Sequence, residues 1–182
     1  MTDTVDRPGP GDIRLTRSSG SCDVETAGAG SDHLVTAPDG GGEDAAVGAT
    51  IIGRRTFDLG IGPWGGTPWP GVPSFVITHR ARPDLLGNNG GTFVFDGLQA
   101  AARRAKQAAG HKDVLVLGAD VARQLLSAGL LDEVRIHLVP VLLGEGTPLF
   151  AGERAELIAE GKPVTGTVTH LRFRVARAGY SA

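Results

Sequence analysis

The chain has 182 residues, including 28 glycines, 11 prolines and a single cysteine, and a formal net charge of −2. That length holds one full hydrophobic core and hardly two, and the near-neutral charge gives no basic field to recruit nucleic acid or an anionic membrane. Cys22 alone builds neither an intrachain disulfide nor a zinc site, and no apolar run reaches the roughly 18 residues of a membrane span. With no basic-then-apolar signal at the N-terminus, these features predict a cytoplasmic protein without a metal.

Residues 1–48 are dense in Gly, Ser, Thr, Asp and Pro (RPGPGD, RSSGS, AGAGSD, APDGGGED) and poor in large apolar side chains. Such composition buries too little surface to offset ordering entropy, so a disordered or divergent segment is expected there. The folded domain is then expected over residues 49–178. Two scraps resist this reading: 12–17 (DIRLTR) alternates as an edge strand would, and 33–36 (HLVT) suits a very short strand.

Order begins with a compact strand, 49–52 (ATII), which runs directly into Gly53, Arg54, Arg55, Thr56 and Phe57. A glycine break, two guanidinium groups and a hydroxyl at a strand end suit a polyanion, although a solvated basic turn has the same make-up. Residues 60–65 (GIGPWG) match G-x-G-x-x-G on paper. A dinucleotide fingerprint must follow a strand and open a helix, whereas Pro63, Pro68 and Pro70 predict a proline-rich loop. Trp64 and Trp69 would pin that loop to the body or flank a flat ligand.

The next strand, 72–78 (VPSFVIT), ends in Thr78, His79 and Arg80, again a hydroxyl and a guanidinium beyond a strand terminus. His79 has no evident partner carboxylate and reads as a surface or packing histidine. A brief strand at 93–95 precedes an alanine-rich helix at 98–109, with Arg103, Arg104 and Lys106 on its wet face and Gly110 at its end.

Residues 113–126 (DVLVLGADVARQLL) organise the chain. An apolar β-branched run passes through Gly118 into a helix whose Val121, Leu125 and Leu126 share one face, with Asp120 placed to cap it. A strand that turns at glycine into a helix N-terminus exposes unpaired N–H groups and a positive dipole end, which seats phosphate. An ordinary strand–turn–helix link has the same pattern. Residues 132–143 (DEVRIHLVPVLL) then alternate Val134, Ile136 and Leu138 inward against Arg135 and His137 outward until Pro140 interrupts. A sharp turn at 144–148 and strands near 155–159, 164–170 and 171–176 close the chain.

This order predicts an α/β fold with a mostly parallel central sheet and antiparallel C-terminal strands. Ligands on such sheets bind beyond the strand C-termini, where GRRT, THR and GADV all fall. Their convergence points to a phosphate-bearing ligand.

With those residues in hand, the chain resembles the dihydrofolate reductase superfamily. It is most similar to the C-terminal reductase domain of the riboflavin-pathway deaminase-reductase (the RibD C-terminal family) and its stand-alone bacterial relatives. The resemblance covers roughly residues 49–176 and rests on IIGRRTFDLG, SFVITHR, DVLVLGADVARQLLSAGLLDEVRIHLVPVLLGEGTPLF and LRFRV. It implies a three-layer α/β/α dihydrofolate reductase-like fold and NADPH as hydride donor. Gly53, Arg54, Arg55 and Thr56 would contact the cofactor phosphates, Thr78 and Arg80 would lie near the adenosine 2′-phosphate, and Gly118, Ala119, Asp120 and Val121 would hold the pyrophosphate. Pro140, Leu143, Gly144, Gly146 and Thr147 would border the nicotinamide and substrate pocket.

The implied activity is reduction of a small planar heterocycle, pterin-like or 5-amino-6-ribosylaminouracil-like, by a protein that binds no nucleic acid or membrane. The alternating late strands suit a homodimer. The front of the chain departs from the family, whose first core strand runs into a Ser-Leu-Asp-Gly type segment. Residues 1–48 offer no equivalent, so no proton donor is named. The alternative reading is therefore a nucleotide-binding member that lacks this strand and has lost turnover.

Overall fold

In a computed structural model of the chain, the described residues are 13–19, 47–80, 82–138, 140, 142, 149–150, 152–166 and 168–176. They form β1 (Ile13–Ser19), β2 (Val47–Gly53), α1 (Arg54–Trp64), β3 (Ser74–Ile77), β4 (Leu85–Leu86) and β5 (Thr92–Asp96). Then follow α2 (Leu98–Ala109), β6 (Asp113–Leu117), α3 (Ala119–Ser127), β7 (Glu133–Leu138), β8 (Leu157–Ala159), β9 (Val164–Thr165) and β10 (Thr169–Val175). The strands make one sheet in the order β4-β5-β3-β2-β6-β1-β7-β10-β8, with β9 on β10. From β5 to β7 the neighbours run parallel. β4 at one edge and β10, β8 and β9 at the other run antiparallel, as expected.

Alternation along the strands divides the core into two layers. Ala49 and Ile51 of β2, Phe75 and Ile77 of β3, and Val114 and Val116 of β6 face α2 and α3. The stripe Ala101, Ala102, Ala105 and Ala109 lets α2 lie close on that face. Ile52, Val76, Phe93 and Phe95 point the other way and meet α1 through Phe57. Phe93 and Phe95 approach the Phe57 ring edge-on, with centroids 4.9 and 5.1 Å away. The sheet is thus sandwiched between α1 on one side and α2 with α3 on the other.

Three expectations change. The sheet does not lack its inner strand: β1 lies between β6 and β7, paired to both. The folded unit therefore takes in residues 13–19, β2 already opens at Val47, and the boundary at residue 49 moves. Composition under-reads such a strand because parallel ladders on both sides satisfy its backbone, whatever the make-up of its flanks. The scrap 33–36 lies outside the described residues. Residues 60–64 are helix rather than proline-rich loop, since α1 continues through Pro63 to Trp64. Pro63 falls in the last turn, whose carbonyls already lack intrahelical partners, so the break costs little.

The third change concerns β7. Leu138 is 50% exposed and Arg135 is not an outward solvated residue. Arg135 Nε donates to Glu133 Oε1 at 2.6 Å, and Arg172 Nη2 on β10 donates to Oε2 at 2.8 Å. Arg172 and Arg174 also pair with Glu160, at 3.3 and 3.6 Å. Glu133 is fully buried, so its charge persists only because two guanidinium groups hold it.

Candidate functional site

Register alone brings the flagged loops together. Ile52 of β2 pairs with Leu117 of β6, so the next residues, Gly53 and Gly118, leave the sheet side by side. Gly53 pairs on its other flank with Ile77, the residue before Thr78. GRRT, THR and GADV therefore cap three adjacent strands at the carboxyl edge. α1 then departs over one face and α3 over the other. The chain order reverses between β2 and β6, the type of crevice where open α/β sheets bind ligands.

The two helix starts touch. A Cβ on Gly118 would stand 3.3 Å from Thr56 Oγ1, and one on Gly53 would stand 3.2 Å from Val121 Cγ2 and 4.0 Å from Thr56 Oγ1. Gly118 also takes φ 101°, a backbone conformation that side chains resist. The half-buried Thr56 hydroxyl makes no hydrogen bond among the described residues and sits between the two turns.

Neither helix start carries a side-chain cap. α1 has no acidic residue in its first turn and opens with Arg54 and Arg55. Cations at the positive end of a helix dipole are unfavourable by a few tenths to about 1 kcal/mol each, an arrangement that an incoming anion relieves. Arg54 Nε is clipped to both Asp58 oxygens, at 2.8 and 2.9 Å, one turn along the helix. The positive end of α3 has an anion of its own, because Asp120 stands in its first turn. Asp120 does not cap α3, as expected from the sequence; Gly118 is the N-cap, and the Asp120 carboxylate pairs with Arg123. Ala119 and Val121 are buried and supply backbone only.

Thr78 belongs to the carboxyl edge, but its hydroxyl is already engaged: Oγ1 accepts the Arg80 N–H at 3.1 Å and so shapes the turn. His79 is exposed there. Pro140, also exposed, follows the carboxyl end of β7, on the same edge. Leu143, Gly144, Gly146 and Thr147 lie outside the described residues. Trp64 and Trp69 do not flank the crevice. The 11 residues of α1 carry the chain to the amino edge, about 16 Å from the Gly53 turn. There Asn89 ties the tryptophan-bearing loop down by accepting the Thr67 N–H at 3.1 Å and donating to the Thr67 carbonyl at 2.7 Å.

Sequence reasoning passed over Arg82. Its Cζ lies 4.4 Å from the Phe95 ring centroid and 5.7 Å from that of Phe57. The basic run THRAR was a signal, but only the fold shows which of its arginines rests on the rings. Among the described residues no group of three or more His, Cys, Asp or Glu could hold a metal ion. No helix of the described residues is long and apolar enough to cross a membrane.

A mostly parallel sheet with antiparallel late strands, helices on both faces and an anion-seeking crevice at the carboxyl edge defines a nucleotide-binding α/β protein. Residues 45–174 match the RibD C-terminal domain, and the chain belongs to that family. YwjB of Bacillus subtilis (strain 168) is 30% identical over 104 residues, covering 57% of this chain and 59% of its own length. The chain thus spans less than two thirds of that relative. A Shewanella sp. PV-4 protein given a provisional place in riboflavin biosynthesis superposes with a TM-score of 0.65 at 20% identity, covering 91% of this chain and 99% of that one. Dihydrofolate reductase from Enterococcus faecalis complexed with NADP(H) gives a TM-score of 0.50 at 15% identity, covering 93% and 99%. The fold is dihydrofolate reductase-like, of the riboflavin-pathway reductase type.

Proposed function

We propose that the protein is an NADPH-dependent reductase of a small planar heterocycle, of pterin or aminouracil type. The observation that carries this reading is the junction of the α1 and α3 starts, where Thr56 Oγ1 lies 3.3 Å from the Cβ position that Gly118 leaves empty. Bare helix N–H groups, a spare hydroxyl, two arginines without a first-turn acid and two glycines fit a pyrophosphate. Family membership supplies the reaction class, and the nicotinamide would provide a hydride.

On this reading Gly53 and Gly118 let the backbone approach the pyrophosphate, while Arg54, Arg55 and Thr56 bind it. Their work is positioning: hydride transfer needs donor and acceptor carbons in contact, and a fixed anion anchor removes most of the orientational freedom. The crevice between β6 and β1 leads from this anchor towards Pro140. The alternative of a member without turnover rested on a missing inner strand, and β1 fills that place. The reading is tested by titrating NADPH, following its own emission, and then measuring its oxidation with pterins and aminouracils. Absence of nucleotide binding by the folded protein would end it.

A further inference from the structure

Of the two guanidinium groups in the loop after β3, only one is pre-positioned. Arg80 is exposed, and its side chain has no ion pair or hydrogen bond among the described residues. The Arg82 guanidinium lies over two rings, 4.4 Å from the Phe95 centroid and 5.7 Å from that of Phe57. Those rings are themselves fixed, being 7% and 4% exposed and packed edge-on. Such a platform restrains a side chain whose rotamer freedom would otherwise oppose binding.

The same Phe57 ring carries a second cation, since Arg54 Cζ is also 5.7 Å from its centroid. Arg54 and Arg82 therefore cannot be further apart than twice that distance. Asp58 offsets the charge of Arg54, whereas Arg82 has no carboxylate partner among the described residues. Like charges gathered around one ring repel, and a dianion between them reverses the sign of that interaction. This place is separate from the Thr56 junction. The junction lies between β2 and β6, while Arg82 follows β3, the next strand on the opposite side. A dinucleotide anchored by its pyrophosphate at the junction would bring its adenosine ribose here.

We infer that Arg82, rather than Arg80, recognises the 2′-phosphate of the nucleotide and sets the preference for NADPH over NADH. The inference rests on the proposed reductase reading. The test measures the dissociation constants of NADPH and NADH for the wild type, Arg82→Ala and Arg80→Ala, with 2′,5′-ADP as a competitor. Both side chains are exposed, so neither substitution opens the core. Arg82→Ala should cut the NADPH preference by about tenfold or more, the worth of a charge-assisted hydrogen bond, with NADH affinity kept. Competition by 2′,5′-ADP should weaken in parallel, and Arg80→Ala should retain the wild-type preference. Equal loss of both dinucleotides in Arg82→Ala, an unchanged preference, or loss of preference in Arg80→Ala instead would overturn the assignment. If the wild type binds neither nucleotide, the reductase reading itself falls.

Discussion

Replacing Gly118 with alanine tests the geometry on which the cofactor seat depends. The residue stands at φ 101° and ψ 131°, outside the regions open to side chains, and strain there is about 1–3 kcal/mol. The added Cβ would also lie 3.3 Å from Thr56 Oγ1, a contact that a shift of a few tenths of an ångström relieves. Backbone strain therefore dominates, and a loss of about 2 kcal/mol is expected, or roughly 4–8 °C in melting temperature for a domain of this size. Calorimetry measures this loss, and NADPH emission measures the accompanying fall in affinity, about tenfold for one displaced N–H contact. Adding Thr56→Ala to the Gly118→Ala protein removes the contact but not the strain, so most of the stability loss should persist. A Gly118→Ala protein that melts and binds like the wild type would refute the turn geometry. Full recovery in the double variant would show that crowding, not strain, is the cost.

Other consequences follow from the same geometry. Thr56→Ala should weaken NADPH and NADH to the same degree, because the junction hydroxyl would meet the shared pyrophosphate; a selective loss of NADPH in parallel titrations would move Thr56 to the 2′-phosphate. Glu133→Gln leaves Arg135 and Arg172 without their buried counter-charge, and Arg172, at 41% exposure, can recover hydration. Urea unfolding should therefore show about 2 kcal/mol lost, below the 3–5 of a fully sealed pair, and an unchanged midpoint would make the network dispensable. Deleting residues 1–19 removes β1 and leaves β6 and β7 without their shared neighbour. That protein should lose its cooperative thermal transition, and a sharp melt at the wild-type temperature would show the sheet does not need this strand.

The strand–turn–helix at 113–126 was legible because its period changes from two to about four residues at a glycine. GRRT was legible as an anion seat because two cations beside a glycine need no tertiary context to be suspected. Asp120 was misassigned as a cap because Gly118 and Asp120 are both acceptable there by type, and only the backbone path puts the helix start at Ala119. The path of α1 through Pro63 was hidden for a similar reason: proline breaks a helix interior but is tolerated where a helix is ending. β1 was the largest omission. Its neighbours in space, β6 and β7, lie about a hundred residues away in sequence, and no local pattern reports them.

What the sequence determined by itself was everything that depends on short-range periodicity and residue type. This covers the class of fold, the helices and strands from Ala49 to Ser127, and the groups able to attract a phosphate. The tertiary structure alone decided which of those groups meet. Thr56 reaches Gly118 because β2 and β6 are sheet neighbours although α1, β3, β4, β5 and α2 separate them along the chain. Arg82, not Arg80, lies on Phe57 and Phe95 because those rings come from a helix and a strand on one face of the sheet. Side-chain chemistry is written residue by residue, but proximity between distant residues is set by strand order, and strand order follows from how the whole chain buries its apolar surface.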